Sequence, residues 1–598
     1  MPLFHRRRAA AALLPLAALL LASLPAPAAP PDPGASAPEV DFTWGVKIPM
    51  RDGVRLNATL YRPRTAGRVP LLYRVTPYTP DSWHADGMYF ARHGYAFACV
   101  DVRGRGNSEG RFEPWNNDGR DGYDTVEWLA RQPWSNGQVA MYGESYNGRA
   151  VWSTLKEGPP HLAAAVPIAP GYAIRFWKND LTPDILQGLA QMGGVTSNVN
   201  LADDSSFWIE KLRELYLRHL PLRQFDRVVG FPSEIFQRVL DHPEPDPYWD
   251  AIAPTADDYR RMDLPLLTVT GAYDSHNASS LYYYRQHQRY APAAGRDRHY
   301  LVIGPWDHGG TFRPRRQFGG LTFGPASVID MQTLLLGWLD FALHGAPPPA
   351  FLQKRVAYYV IGAEEWRYAD SLESITGGTR NLYLASDGGP GGGANDLFHS
   401  GRLAAEAPRG ASADRYVYDP LDVRPAELER EEVENPLTDA RTVANLFGNG
   451  LVYHGEPLAA EIEIAGEPRL TAWISLDVPD TDFDAALYLV TPSGESQLLG
   501  EDFLRARYRR SPERAELVRP GEIDRYDFTF PWMARRLPPR SRLRLVLRSP
   551  NSIYAEKNYN AGGAVAEESG KDARTAHVTL HHDAAHASLL ALPLARRE

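Results

Sequence analysis

From residue 69 onward, apolar positions arrive in short solid runs separated by amphipathic stretches. "VPLLYRVTPY", "AFACVDVRG" and "LAAAVPIAPG" are nearly continuous apolar runs, the pattern of strands buried on both faces of a parallel sheet. Between them, "SWHADGMYFARHGY" and "DGYDTVEWLARQ" space their apolar residues at helical intervals. This β-α-β-α order predicts an α/β domain, opened by a hairpin over 39–62 with Asp52-Gly53 at its turn. From about Tyr172 to Asp263 the order lapses into polar, aromatic and helical stretches such as "SSFWIEKLRELYLRHLPLRQF", which predict an inserted cap. The sheet resumes with "LPLLTVTGAYD", a helix near Ser279–Arg289, "RHYLVIGPWDHGG" and a helix near Val328–Leu343. Beyond 350, short alternating segments ("RVAYYVIG", "RLTAWISLDV", "AALYLVTPSG", "RLRLVLRS") are punctuated by Gly, Pro and Asp. They predict an all-β sandwich of jelly-roll type. The expected boundaries are 37–171 and 264–347 for the α/β domain, 172–263 for the cap and 350–598 for the sandwich.

The first 29 residues stand apart from this pattern. Arg6-Arg7-Arg8 precede the apolar run "AAAALLPLAALLLASL" and the small-residue stretch "PAPAAP", the tripartite form of a cleaved export signal ending near Ala28 or Ala29. Its removal takes the formal net charge from −9 to −12, because the lost segment holds those three arginines and no acid. The expected location is therefore the periplasm or the medium, with no membrane attachment after cleavage. An acidic chain without a basic run argues against nucleic acid as a partner. Cys99 is the only cysteine, so no intrachain disulfide can form, and its setting in "YAFACVDV" predicts a buried small hydrophobe.

One strand-to-helix junction carries candidate chemistry. In "GQVAMYGESYNGRAVW", Val139, Met141 and Tyr142 read as a strand, and Ala150, Val151, Trp152 and Leu155 read as a helix. Between them lies G-E-S-Y-N-G, with Ser145 flanked by Gly143 and Gly148. A nucleophile elbow needs such a turn, with small neighbours where the backbone doubles back. An α/β-hydrolase presents its triad in the order Ser, acid, His. Here Asp274 ends a predicted strand 129 residues after Ser145, and His308 ends the next, 34 residues later. In that arrangement His308 removes the Ser145 proton, Asp274 orients and stabilises the imidazolium, and Ser145 attacks a carbonyl carbon. Asp307 adjoins His308, but neighbouring side chains diverge, which favours Asp274.

These segments resemble the cocaine esterase / X-prolyl dipeptidyl-peptidase family, which includes the α-amino acid ester hydrolases. The resemblance is carried by "VTPY", "DVRGRGNSEGRF", "DGYDTVEWLARQPWSNGQVAMYGESYNG", "GAYD" and "GPWDHGG", and continues into the sandwich at "TDFDAALYLVTPSG". It implies an α/β-hydrolase domain with a helical cap and a C-terminal jelly roll of galactose-binding-like form, and serine hydrolase activity without a cofactor. It also implies two oxyanion donors, the backbone N–H of Tyr146 and the phenol of Tyr78. In the α-amino acid ester hydrolases two further acids come shortly after the triad acid and hold the substrate ammonium. The matching positions here are His276 and Asn277, which with Trp306 are the candidate pocket residues.

Other polar positions read as structural. Asp101 and Arg103 are expected to pair with each other at the sheet end. Asp477, Asp480, Asp482 and Asp484 lack the glycine and distal glutamate of a calcium loop, so no metal is expected. The expected substrate is a small ester or amide or a short peptide, with self-association left open. The alternatives are an X-Pro dipeptidyl-peptidase, an α-amino acid ester hydrolase or β-lactam acylase, and, outside enzymes, a binding protein on a hydrolase scaffold.

Overall fold

A computed structural model describes residues 39–78, 80–171, 205–230, 232–386, 393–410, 412–431 and 433–596. The expected export signal and the first part of the expected cap, including Asp180, Asp203 and Asp204, lie outside the described residues.

The opening hairpin joins β1 (Val40–Pro49) to β2 (Arg55–Pro63) through a turn in which Gly53 takes a φ of 87°. β3 (Val69–Thr76), β4 (Ala96–Asp101), β5 (Ser135–Glu144), β6 (Leu162–Ile168), β7 (Leu266–Tyr273) and β8 (His299–Asp307) come next along the chain. They form a sheet in the order β1-β2-β4-β3-β5-β6-β7-β8, parallel from β4 to β8. Helices α1 (His84–Arg92), α2 (Asp118–Ala130), α3 (Tyr146–Glu157), α4 (Asn277–Tyr290) and α5 (Met331–His344) accompany it. On one face α2 and α3 bury Val126, Leu129, Val151 and Trp152 against Leu71, Tyr73 and Met141. On the other, α1 and α5 bury Phe90, Leu335 and Trp338 against Leu72, Phe97 and Val302. Strands covered on both sides in this way have little room for polar residues, which is why they read as solid apolar runs.

The expected break at 350 does not coincide with the end of this sheet. "RVAYYVIG", read as the first sandwich strand, supplies β9 (Val356–Val360), which pairs in parallel with β8; β10 (Glu365–Ala369) then closes the edge antiparallel to it. The proline-rich "HGAPPPAF" is the return from α5 to a ninth strand. Fully buried β9 is apolar at every position, so alternation could not assign it to either sheet.

The described part of the expected cap is helical: Ser205–Leu217, Phe225–Val229, Glu234–Leu240, Pro247–Asp250 and Ala256–Tyr259. Ser233 and Asp246 cap two of these helices, and Thr255 with Asp258 forms a reciprocal capping box on a third. Trp208, Phe225, Phe236 and Trp249 form their core together with Ala426, Ile553 and Ala566 from the C-terminal region. That region is a 13-stranded β structure around Phe483, Tyr526, Phe528, Leu545 and Leu590. It meets the α/β sheet at Ile361, whose N–H donates to the Ala534 carbonyl (3.0 Å) and whose carbonyl accepts from Arg536 N–H (2.8 Å). Cys99 is buried in β4 and burial pushes its thiol up to about 12, so it has no thiolate character near neutrality.

Candidate active site

β5 ends at Glu144 and α3 begins at Tyr146, so Ser145 alone makes the reversal. Its backbone lies at φ 59°, ψ −122°, a conformation that costs a non-glycine residue about 1–3 kcal/mol. The flanking glycines are sterically required. A Cβ on Gly143 would lie 2.5 Å from Asn147 Cβ, and one on Gly148 would lie 2.5 Å from the Ile168 carbonyl oxygen. The turn is also tied across the sheet, because Ser145 N–H donates to the Ile168 carbonyl at 3.0 Å. As the first residue of α3, Tyr146 offers a backbone N–H that has no acceptor within the helix.

The other candidate residues come from neighbouring strand ends. His308 directly succeeds β8, and its Nδ1 lies 2.8 Å from Asp274 Oδ1 at the end of β7. The Asp274 side chain is fully buried and also accepts from Thr270 Oγ1 (2.9 Å) and His276 N–H (3.0 Å), whereas His308 remains about one-third exposed. Burial opposes the charged form of both groups, but their mutual hydrogen bond and attraction outweigh it. The His308 pKa is raised and the Asp274 pKa is lowered. Asp307 is turned elsewhere, accepting from Gly310 N–H at 3.0 Å and pairing with Arg315.

The Tyr78 hydroxyl approaches the Ser145 side chain. Burial and the Glu144 charge raise its pKa, which keeps the phenol protonated and able to donate. Glu144 acts electrostatically on His308 as well as on Tyr78, so the ends of β3, β5 and β8 converge on one place. His276 forms a wall there. Its ring stands edge-on to His308 with centroids 4.5 Å apart, and its Nδ1 donates to the Ala169 carbonyl at 3.1 Å. Burial, together with the neighbouring His308, depresses its pKa to about 4, so it is neutral under ordinary conditions.

Two of the expected pocket residues are buried and give a side-chain N–H to a backbone carbonyl. Asn277 is buried at the start of α4, where its Nδ2 donates to the Gly271 carbonyl at 2.9 Å. Trp306 is also buried, with its indole N–H donated to the Ser327 carbonyl at 2.8 Å. Trp306 lies on β8, and Asn277 is the first residue of α4. The expected Asp101–Arg103 pair is likewise replaced. Arg103 pairs with Asp121 and Asp52, and Asp101 holds Asn57 and the Asn107 N–H. In the C-terminal region, Asp480, Asp482 and Asp484 each face an arginine (Arg507, Arg505 and Arg548), and Asp477 faces His577.

The groups beneath the elbow were not anticipated from the sequence. Arg74, fully buried in β3, pairs with Glu144 at 2.7 Å and lies between the rings of Trp83 (3.3 Å) and Tyr142 (4.8 Å). A lone arginine inside the apolar run "LLYRVT" was the available signal, since a buried charge requires a partner. Below α3, Asp118 contacts the Tyr146 hydroxyl, and burial pushes its carboxyl up to about 7. Arg149 stacks over Trp115 at 4.3 Å in the same layer, and Trp115 N–H donates to the Tyr146 hydroxyl at 3.2 Å.

An elbow serine, an Asp–His pair and a phenol at converging strand ends constitute the equipment for acyl transfer. Comparison with known proteins agrees with that chemistry. Residues 52–310 match the model of the X-Pro dipeptidyl-peptidase (S15 family), and 351–591 match its C-terminal non-catalytic domain. The chain belongs to the cocaine esterase / X-Pro dipeptidyl-peptidase family of serine hydrolases. It is 28% identical to the cocaine esterase of Rhodococcus sp. (strain MB1 Bresler), over 92% of this chain and 98% of that protein. It is 24% identical to a putative serine esterase of Mycobacterium bovis, over 85% and 90% respectively. Among solved structures, an α-amino acid ester hydrolase superposes with a TM-score of 0.78 at 21% identity, covering 94% of this chain and 97% of that one. An aminopeptidase from a marine sediment archaeon superposes with a TM-score of 0.76 at 22% identity, covering 93% and 97%. At those identities the structural likeness speaks for the fold. Among the described residues, no helix is long and apolar enough to cross a membrane.

Proposed function

We propose that this serine hydrolase is an exported esterase, acting through Ser145, His308 and Asp274 on esters with neutral acyl groups. The observation that carries the reading is Ser145 itself, held at φ 59° between two glycines that admit no Cβ, with the Tyr78 hydroxyl beside it.

In the proposed reaction His308 Nε2 takes the Ser145 proton as Oγ attacks the substrate carbonyl, while Nδ1–H stays bonded to Asp274. The imidazolium that forms is favoured by that carboxylate, as the raised His308 pKa indicates. The carbonyl oxygen, becoming an oxyanion, receives the Tyr146 N–H and the Tyr78 hydroxyl. His308 then protonates the departing alkoxide, and a water deprotonated by the same imidazole releases the acid from Ser145. Export is inferred from the Arg-rich, apolar and small-residue segments over 1–29.

The acyl preference rests on the two residues that stand where an ammonium would need acids, His276 and Asn277. An ammonium group entering a partly dry site needs a carboxylate, since an unpaired buried charge costs several kcal/mol. The near position is occupied by His276, a neutral imidazole, and Asn277 is turned into the core.

A fluorophosphonate probe tests the nucleophile: it should label the mature protein and fail to label Ser145→Ala, whose circular dichroism should be unchanged. Labelling of the Ser145→Ala variant would refute the assignment. Hydrolysis of a phenylacetyl ester, compared with its charged phenylglycyl counterpart, tests the preference. A higher kcat/KM for the amino compound would favour the aminoacyl or X-Pro reading instead.

A further inference from the structure

The loop that follows β4, "DVRGRGNSEG" over 101–110, takes no part in the proposed reaction, yet it is tied to the strand end that carries Tyr78. Its two arginines diverge. Arg103 pairs with Asp121 and Asp52, whereas Arg105 is buried. Side chains are excluded on either side of Arg105. Gly104 lies at φ 72° and Gly106 at φ 55°, conformations that strain any residue with a Cβ. A Cβ on Gly104 would run into the Phe112 backbone nitrogen, and one on Gly106 into the Asp101 carboxylate.

Hydrogen bonds join the loop to the segment 76–78. Val102 N–H donates to the Thr76 carbonyl at 3.0 Å, and Arg105 N–H donates to the Val102 carbonyl at 3.0 Å. The Arg105 side chain then reaches across, giving its Nε–H to the Pro77 carbonyl at 3.0 Å. The N–H of the same peptide unit, that of Tyr78, donates to Thr76 Oγ1 at 3.1 Å. Both polar groups of the Pro77–Tyr78 peptide are therefore held, and the unit is planar, so the direction in which Tyr78 leaves the backbone is fixed from both ends.

The guanidinium also matters as a charge. It lies over the Phe112 ring at 5.5 Å, and a guanidinium stays protonated even when buried. Its charge acts on Tyr78 and on Tyr146, the two residues proposed to donate to the oxyanion. At the Tyr78 phenol it opposes the upward push of burial and of Glu144. A fixed cation of this kind favours negative charge where the oxyanion develops.

We infer that Arg105 is a positioning residue for the oxyanion donors: its Nε fixes the peptide from which Tyr78 projects, and its charge supports both donors. It acts through Tyr78 rather than on the substrate.

The inference rests on the proposed role of Tyr78, so its test is a double-mutant cycle with Tyr78→Phe, read by steady-state hydrolysis of a neutral chromogenic ester. In otherwise wild-type protein, Arg105→Met should lower kcat by at least roughly tenfold with KM little changed, because a donor out of place is lost chiefly to the transition state. In the Tyr78→Phe background the same change should cost less than about threefold, since the hydroxyl it positions is gone. Thermal unfolding is followed for every variant. Should Arg105→Met not fold, Arg105→Gln, which lacks the charge and the Nε position, takes its place in the same cycle. Equal losses in the two backgrounds, no loss at all, or a loss confined to KM would overturn the inference; the fall in kcat caused by Tyr78→Phe alone would still uphold Tyr78 as a donor. If Tyr78→Phe were as active as wild type, the reading of Tyr78 would be overturned, and the role of Arg105 with it.

Discussion

Replacing Tyr78 by phenylalanine removes one oxygen and leaves the ring in place among its neighbours in the core beside α2 and α3. The hydroxyl it removes lies against Ser145, and burial with the Glu144 charge keeps it protonated, so it is preformed as a donor. Loss of one such donor to an oxyanion costs about 2.7–4 kcal/mol, or roughly a hundredfold to a thousandfold in kcat. The hydrogen bond is worth less to the ground-state ester, whose carbonyl carries little charge. kcat and kcat/KM should therefore fall together while KM changes little. The assay is steady-state hydrolysis of a neutral chromogenic ester, with thermal unfolding measured in parallel. A rate equal to wild type with an unchanged melting curve would show that Tyr78 only fills space, and Tyr146 N–H would be left as the donor. A large rise in KM at constant kcat would refute the reasoning differently, by placing the hydroxyl on the substrate rather than on the transition state.

The same geometry sets two further outcomes. On acidification kcat/KM should fall with a midpoint above 6.5, because the base must be neutral and Asp274 raises the pKa of His308; a midpoint below 6.5 would contradict the pairing. Gly148→Ala would bring a Cβ within 2.5 Å of the Ile168 carbonyl and 2.9 Å of the Gly143 carbonyl, neither of which can rotate away. It should destabilise by about 1–3 kcal/mol and displace the elbow enough to cost at least about a hundredfold in activity, read by thermal unfolding and probe labelling.

How much of the molecule is legible in the chain depends on how locally each feature is encoded. The elbow was legible because its signal lies within six residues: Gly143 and Gly148 are glycines at the two positions where neighbouring atoms leave no room for a Cβ. Asp274 and His308 were legible because a strand end announces itself, and parallel strands bring successive ends together. His276, Asn277 and Trp306 were grouped by proximity along the chain, which does not fix direction. The structure leaves His276 at the site and turns the other two into the core. β9 was misassigned because a strand buried on both faces carries no alternation to reveal its sheet. The Arg74–Glu144 pair spans 70 positions, and nothing in either segment names the other.

The same distance along the chain hides why the C-terminal region belongs to the catalytic unit at all. Arg535, on the strand Met533–Leu537, donates from Nη1 to the Tyr273 hydroxyl at 2.5 Å, and Tyr273 is the residue before Asp274. Burial raises the pKa of that phenol, so it remains a neutral partner for the guanidinium. Further along, Arg285 on α4 reaches Glu467 at 2.6 Å. The acid-bearing turn between β7 and α4 is thus fixed from the C-terminal side on both flanks. The Asp274 side chain itself is buried and held by Thr270, His276 N–H and His308, so the C-terminal contacts reach it only through its neighbours. The C-terminal region thus holds both the residue before Asp274 and the helix that follows it.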